Sequence, residues 1–328
     1  MTSGLPFDDI RSLLGNMPGP DLATGESVRL VFERRRLSSA LAPIADLAEW
    51  LARWSGRPPA VLRPLVAIFA GNHGVMRRGV SPRLPSATAD AVEMCAAGAA
   101  AVNQVCVAQD LGLKVFDLAL DLPTSDITTD AALDERGCAA TMAFGMEAIV
   151  GGTDLVALSD LGAGGSTVAA AVLAALYGGK GSDWVGTGSG ADAAMIERKA
   201  ATVDDALELH RAHLKDPLEV LRRLGGREMA AIAGAILAAR MERVPVILDG
   251  FATSAAAAVL HSIDPRALDH CRLACLSGEQ AHLRVAGHLG MKPLLDFRLG
   301  DPGVGAGLAS GIVKSAAMTV SGLAVPLR

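Results

Sequence analysis

The feature that most constrains the fold is a recurring unit. A short, continuously apolar run is followed by turn residues rich in glycine or acid, and then by a stretch of helical spacing. Six runs have strand length: Leu65–Ala70, Lys114–Leu120, Leu155–Ser159, Val244–Leu248, Leu273–Leu276 and Pro293–Phe297. Because these runs are apolar throughout rather than at alternate positions, their strands should be covered on both faces, as in a parallel sheet between helical layers. Helical spacing marks Ser86–Gln109, Cys138–Val150, Thr167–Leu176, Met195–Leu214 and Arg227–Arg243. The fold class expected is α/β, an open parallel sheet of about six strands with helices on both faces. Val28–Trp54 is amphipathic and strand-free, and Val304–Leu323 is an alanine-rich helix. The two chain ends, 1–60 with 303–328, are expected to form a small helical domain beside an α/β domain at 61–302.

Composition removes several function classes. The 328 residues include 51% apolar and 20% charged, which excludes a disordered chain and allows a core without staples. Aromatic residues make up 3%, too few for a base-stacking platform. Thirty Lys and Arg against 35 Asp and Glu give a net charge of −5, so no basic footprint supports nucleic-acid or membrane binding. Cys95, Cys106, Cys138, Cys271 and Cys275 are scattered in apolar surroundings, as expected for reduced thiols in a cytoplasmic protein. No second Cys or His pair complements Cys271 and Cys275, so no metal site is expected. The N-terminal segment has acids where a signal peptide has basic residues. The windows Val168–Tyr177 and Met229–Ala239, read as the longest apolar ones, fall short of the ~20 residues that span a bilayer.

Ligands of an open parallel sheet bind beyond the carboxyl ends of the strands, which directs attention to the turns. These read Gly71-Asn72-His73-Gly74 after the first run, Asp160-Leu161-Gly162-Ala163-Gly164-Gly165-Ser166-Thr167 after the third and Asp249-Gly250 after the fourth. The fifth gives Ser277-Gly278-Glu279-Gln280-Ala281-His282, and the sixth Gly300-Asp301-Pro302-Gly303. Gly162, Gly164 and Gly165 with Ser166 and Thr167, at the start of a helix, have the mechanics of a phosphate cradle, although a bare tight turn has the same spacing. The same two readings hold for Gly186-Thr187-Gly188-Ser189-Gly190, which precedes the helix carrying Lys199. Asp160 and Asp301 are each either a cap or a catalytic carboxylate. His73 and His282 read as structural residues. A serine hydrolase is disfavoured, since Gly188-Ser189-Gly190 lacks the preceding strand of a nucleophile elbow.

Three longer segments resemble one family: Phe69-Ala70-Gly71-Asn72-His73-Gly74-Val75, Gly225–Leu237 and Val244–Phe251. The family is nicotinate-nucleotide:dimethylbenzimidazole phosphoribosyltransferase, of cobalamin lower-ligand synthesis, and the resemblance runs from about residue 25 to the C-terminus. It implies a Rossmann-like sheet, a small helical domain built from both termini, and a homodimer. It also implies transfer of the phosphoribosyl group of nicotinate mononucleotide onto 5,6-dimethylbenzimidazole, without a cofactor or metal, because the pyridinium leaving group already carries positive charge. By resemblance, Gly162, Gly164, Gly165, Ser166, Thr167, Gly186, Gly188, Ser189, Gly190, Lys199 and Ser277 bind the nucleotide and its phosphate. Ser81, Arg83, Ser86 and Leu299 border the azole, Asp160 supports the sugar cation, and Asp301 takes the acceptor's proton.

The chain departs from the family's pattern in its loops. Where the family reads Arg-Leu-Gly-Glu-Gly-Thr-Gly-Ala, this chain reads Arg298-Leu299-Gly300-Asp301-Pro302-Gly303-Val304-Gly305-Ala306. Either Asp301 or Pro302 falls at the catalytic Glu, depending on where the extra residue is placed. Arg83 stands where an aromatic is usual. An alternative reading follows from these departures: a paralogue that binds a nucleotide or azole without efficient transfer.

Overall fold

A computed structural model of the chain describes residues 6–35, 39–149 and 151–324. Five strands, β1 (Pro64–Ala70), β2 (Gly112–Asp117), β3 (Leu155–Leu161), β4 (Val246–Asp249) and β5 (Cys271–Leu273), form one sheet. Their order is β2-β1-β3-β4-β5, and every neighbouring pair is parallel. The α/β class holds, but the sixth strand does not form. Pro293–Phe297 approaches the sheet edge only through isolated bridges, Leu273 to Pro293 and Leu276 to Arg298. Pro293 has no N–H to donate to a ladder, which limits the run to a few bonds such as Leu294 N–H to Leu273 O at 2.9 Å.

The two faces of the sheet feed separate cores. Ala67 and Phe69 of β1, with Val156 and Leu158 of β3, pack under helices Gly165–Tyr177, Arg227–Met241 and Phe251–Ile263. Val66, Ile68 and Ala157 face the other way, against Trp50 and Trp54 of helix Ala42–Ser55 and the last helix, Val304–Ala324. β1 and β4 are buried at every position, which is why their sequences do not alternate. The last helix buries Ala306, Ala309, Val313, Ala316, Ala317 and Val320, one face at helical spacing. The short helix Pro6–Gly15 lies on the opposite face, with Phe7, Ile10 and Leu14 in the first core.

Two sequence readings need correction. Ser86–Gln109 is not one helix but two, Ala87–Ala96 and Ala101–Gln109. Gly98 turns left-handed at φ +73°, and Asn103 closes the corner by accepting from Ala100 N–H at 3.1 Å and donating to Cys95 O at 2.9 Å. Nor are all apolar windows short. Val304–Leu323 is long and apolar enough to cross a membrane by length and composition, and 56% of that window is buried inside the fold. Residue 150, where one expected helix ends, lies outside the described residues.

Helices Glu135–Ala148 and Arg227–Met241 cross at glycines. A Cβ on Gly145 would overlap the Ala231 carbonyl, and one on Gly234 would overlap that of Met142. Gly145→Ala and Gly234→Ala should each destabilise the fold by about 1–3 kcal/mol, read from urea unfolding. Gly287→Ala, on a helix position with open space around it, should instead be neutral or stabilising by up to about 1 kcal/mol.

Candidate active site

Connections leave β1 toward β2 and leave β3 toward β4, so the crevice between the carboxyl ends of β1 and β3 is the switch point where open α/β sheets bind ligands. A cavity of about 760 Å³ opens there. Its floor is the turn after β3. Gly164, at φ +84°, caps helix Gly165–Tyr177, and the positive end of that helix faces the cavity. Gly162 admits no side chain, because a Cβ would sit 2.5 Å from Gly71 O and 3.1 Å from His73 Nε2.

A second glycine loop is tied to the first by Lys199. Its ammonium, on a side chain 1% exposed, donates to Gly186 O at 2.6 Å and to Ser166 Oγ at 3.1 Å, and lies 3.6 Å from Glu279 Oε1. Burial lowers the Lys199 pKa, and Glu279 opposes that shift. Since Ser166 Oγ accepts from Lys199, its own hydroxyl hydrogen remains for a ligand. Gly188, at φ +50°, keeps the loop close to this cluster.

Two carboxylates end adjacent strands. Asp160 Oδ1 accepts from Thr253 N–H at 3.0 Å and from Thr253 Oγ1 at 2.8 Å, leaving Oδ2 without that restraint. Burial raises the Asp160 pKa, while the Thr253 bonds pull it back. Asp249 Oδ2 accepts from Ala306 N–H at 2.9 Å, and burial pushes this acid up to about 6. Ser159 Oγ accepts from Gly303 N–H at 3.0 Å, and Leu299 N–H reaches Leu276 O at 3.1 Å. The loop between these anchors presents both Asp301, which is exposed, and Pro302 to the cavity. At the far end the lining turns apolar, with Val80, Ala91, Met94 and Val102 beside Ser81 and Arg83.

The structure therefore gathers Asp160, Gly162, Gly164, Gly165, Ser166, Gly188, Ser189, Lys199, Ser277, Ser81, Arg83, Leu299 and Asp301 around one cavity. Thr167 is buried behind its floor, Gly186 turns its carbonyl to Lys199, and Gly190 and Ser86 lie outside the lining. Sequence reasoning passed over Asp249, Glu279 and Thr253. Asp249 carried the same strand-end signal as Asp160, and Glu279 stood in the fifth turn, whereas Thr253 sits in an alanine-rich helix and gave no signal. His282 is structural, as expected. Ser277 N–H donates to Nδ1 at 2.9 Å, so the ring hydrogen sits on Nε2, 2.9 Å from Ser254 Oγ, and burial pushes the ring down to about 4. Among the described residues, no group of three or more His, Cys, Asp or Glu is placed to hold a metal ion.

A family model described as phosphoribosyltransferase matches residues 33–325. The chain belongs to this family. Over 98% of its length it is 59% identical to the nicotinate-nucleotide–dimethylbenzimidazole phosphoribosyltransferase of Rhizobium leguminosarum bv. trifolii, covering 96% of that protein. It is equally similar, at 59% over the same shares, to the Rhizobium meliloti protein of that name. The crystal structure of CobT from Thermus thermophilus superposes with a TM-score of 0.83 at 32% identity, covering 91% of this chain and 96% of that one. A second structure from that organism, titled as the same transferase, gives 0.80 at 30% identity, covering 93% and 100%. The two glycine turns and the strand-end carboxylates are thus features of a family member's cavity.

Truncating Lys199 should reveal how the loops are tied. Lys199→Met leaves Glu279 buried without its cation and should cost about 3–5 kcal/mol in urea unfolding. Lys199→Met with Glu279→Met should recover part of that loss, whereas additive losses would show that the two side chains do not interact.

Proposed function

We propose that the chain transfers the phosphoribosyl group of nicotinate mononucleotide to 5,6-dimethylbenzimidazole or a related azole. The products are nicotinate and α-ribazole phosphate, in the assembly of the cobalamin lower ligand. The observation that carries this reading is one cavity, in a chain so similar to named transferases, that is lined by a glycine turn at a helix N-terminus, by carboxylates and by an apolar wall. The alternative of an impaired paralogue gains no support from relatives that are themselves named as the transferase.

The phosphate sits on the Gly162–Ser166 turn, held by backbone N–H groups, the helix dipole and the Ser166 hydroxyl, while Lys199 fixes the two loops from behind. This puts the ribose over Asp160. The C1′–N bond breaks with its electron pair moving to the pyridinium nitrogen, which leaves as the neutral ring of nicotinate. Asp160, oriented by Thr253, stabilises the positive charge that develops on the sugar. One azole nitrogen then bonds to C1′, and the proton on the other passes to Asp301. The azole ring lies against Val80, Met94 and Val102, with Ser81, Arg83 and Leu299 at its rim. Aspartate is shorter than glutamate by one methylene, and in this reading the extra residue, in a loop held at Leu299 and Gly303, brings Asp301 forward to the acceptor. We also take the protein to be a homodimer of the cytoplasm. Helix Ala101–Gln109 and its neighbour leave Val107 79% and Met94 51% exposed, an apolar surface suited to a second copy.

Incubation with nicotinate mononucleotide and dimethylbenzimidazole should release nicotinate and yield ribazole phosphate, and binding without turnover would refute the transferase reading. Asp301→Asn should lower kcat by about 10²-fold or more with mononucleotide Kd nearly unchanged. Unaltered turnover would remove Asp301 as the base. Asp160 must be ionised to support the cation, so activity falls as pH drops through its raised pKa. Thr253→Val removes a hydrogen bond to the charged form and should shift that acid limb about one pH unit upward in a kcat/KM profile.

A further inference from the structure

Two polar side chains beneath the cavity floor have no part in the mechanism above. His73 lies in the loop after β1, and Glu228 in the first turn of helix Arg227–Met241. Nε2 of His73 is 3.3 Å from Oε1 of Glu228, with the side chains 0% and 1% exposed. None of the four ring and carboxylate polar atoms has a hydrogen-bond partner of good geometry. Glycines make the room. A Cβ on Gly71 would overlap the Glu228 carboxylate, one on Gly226 would sit 2.5 Å from it, and one on Gly165 would lie 3.5 Å from His73 Nε2.

Buried polar atoms left unpaired cost about 1–3 kcal/mol each, so the pair must satisfy itself. Burial pushes Glu228 up to about 7 and His73 down to about 4, favouring the neutral form of each. A single proton on Glu228, directed at His73 Nε2, then serves both residues. The other charged groups acting on the pair are Asp160 from β3 and Arg227 beside Glu228; Glu228 in turn raises the pKa of Asp160, which raises that of Asp249 on β4. Losing the proton leaves an uncompensated negative charge directly under the turn that receives the phosphate. In that poorly solvated position it opposes an incoming dianion.

We propose that Glu228 and His73 are positioning residues of the phosphate seat, which support the Gly162–Gly165 turn through one shared proton and so couple anion binding to retention of that proton. The proposal deepens the transferase reading and rests on it. By linkage, a ligand that binds the protonated pair more tightly must itself raise the pair's proton affinity. Mononucleotide binding therefore draws in a proton near neutral pH, and affinity declines in alkali.

The test is calorimetric titration of the full-length protein with nicotinate mononucleotide in buffers of different ionisation enthalpy. At about pH 7.5, roughly half a proton should be taken up per ligand, and Kd should weaken about sixfold between about pH 6.5 and 8.5, as a one-unit bound-state shift requires. Glu228→Gln and Glu228→Met cannot ionise, and either should abolish both the uptake and the alkaline loss. Uptake in a folded variant equal to that of the wild type would overturn the proposal. If neither variant folds, the wild type decides at about pH 8, where the mononucleotide phosphate, of second pKa about 6, is already dianionic. Absence of uptake there refutes the coupling. A protein that binds and turns over mononucleotide without proton uptake loses this inference alone, whereas one that neither binds nor turns over loses the transferase reading itself.

Discussion

Two side chains at the ends of neighbouring strands, Ser159 and Asp249, hold the last loop and the last helix against the sheet. Ser159 Oγ takes the N–H of Gly303, and Asp249 takes that of Ala306, three residues further on. Their registered pairing across β3 and β4 fixes the spacing of these two anchors. The last helix covers one face of the sheet together with helix Ala42–Ser55, and the loop before it forms one wall of the cavity. A shift of either anchor would therefore disturb core packing and the placement of Asp301 together. Gly303 and Gly305 are required at this junction, since a side chain on the first would press on Ile68 and Val102 and one on the second on Asp249 and Cys275.

The site as a whole is assembled from buried charge at a sheet edge. Asp160 and Asp249 end adjacent strands one position out of register, since Ser159 is the residue paired with Asp249, and burial disfavours the charged form of each. The structure separates their roles by their partners. Thr253 bonds favour the charged form of Asp160, while Asp249 is committed to the helix terminus. The same principle operates behind the glycine turns. Lys199 with Glu279 stands behind one, and His73 with Glu228 behind the other, each pair occupying volume that glycine leaves free. Close backbone approach and buried polar chemistry are in this way one design feature, because a side chain on Gly71 or Gly226 would displace Glu228 and one on Gly186 or Gly188 would displace Glu279.

Much of the fold was legible in the chain because continuous apolar runs report burial on both faces. β1, β3 and β4 fell within the expected runs to a residue or two, and the helices around 195–210 and 227–241 followed their spacing. The misreadings have physical causes. Pro293 lacks the donor a sixth ladder needs, and the alanine-rich Ser86–Gln109 hides a corner that only the left-handed Gly98 and the Asn103 side chain reveal. Helix Phe251–Ile263 escaped notice since eight of its thirteen residues are alanine, serine or threonine, leaving no polar face to mark its period.

The sequence by itself determined that helices sandwich a parallel sheet, that glycine, hydroxyl and acidic residues collect at its carboxyl edge, and which family such segments resemble. Those properties are written in local order, in run length and turn chemistry. Tertiary structure alone decided which carboxylate binds what. Nothing local distinguishes Asp160 from Asp249, and their separation arises from Thr253 and Ala306, which lie 93 and 57 residues away. Likewise nothing local pairs Glu228 with His73, 155 residues earlier, until the fold brings their side chains within 3.3 Å. A pKa is set by what surrounds a group in space, and that neighbourhood exists only once distant segments have packed.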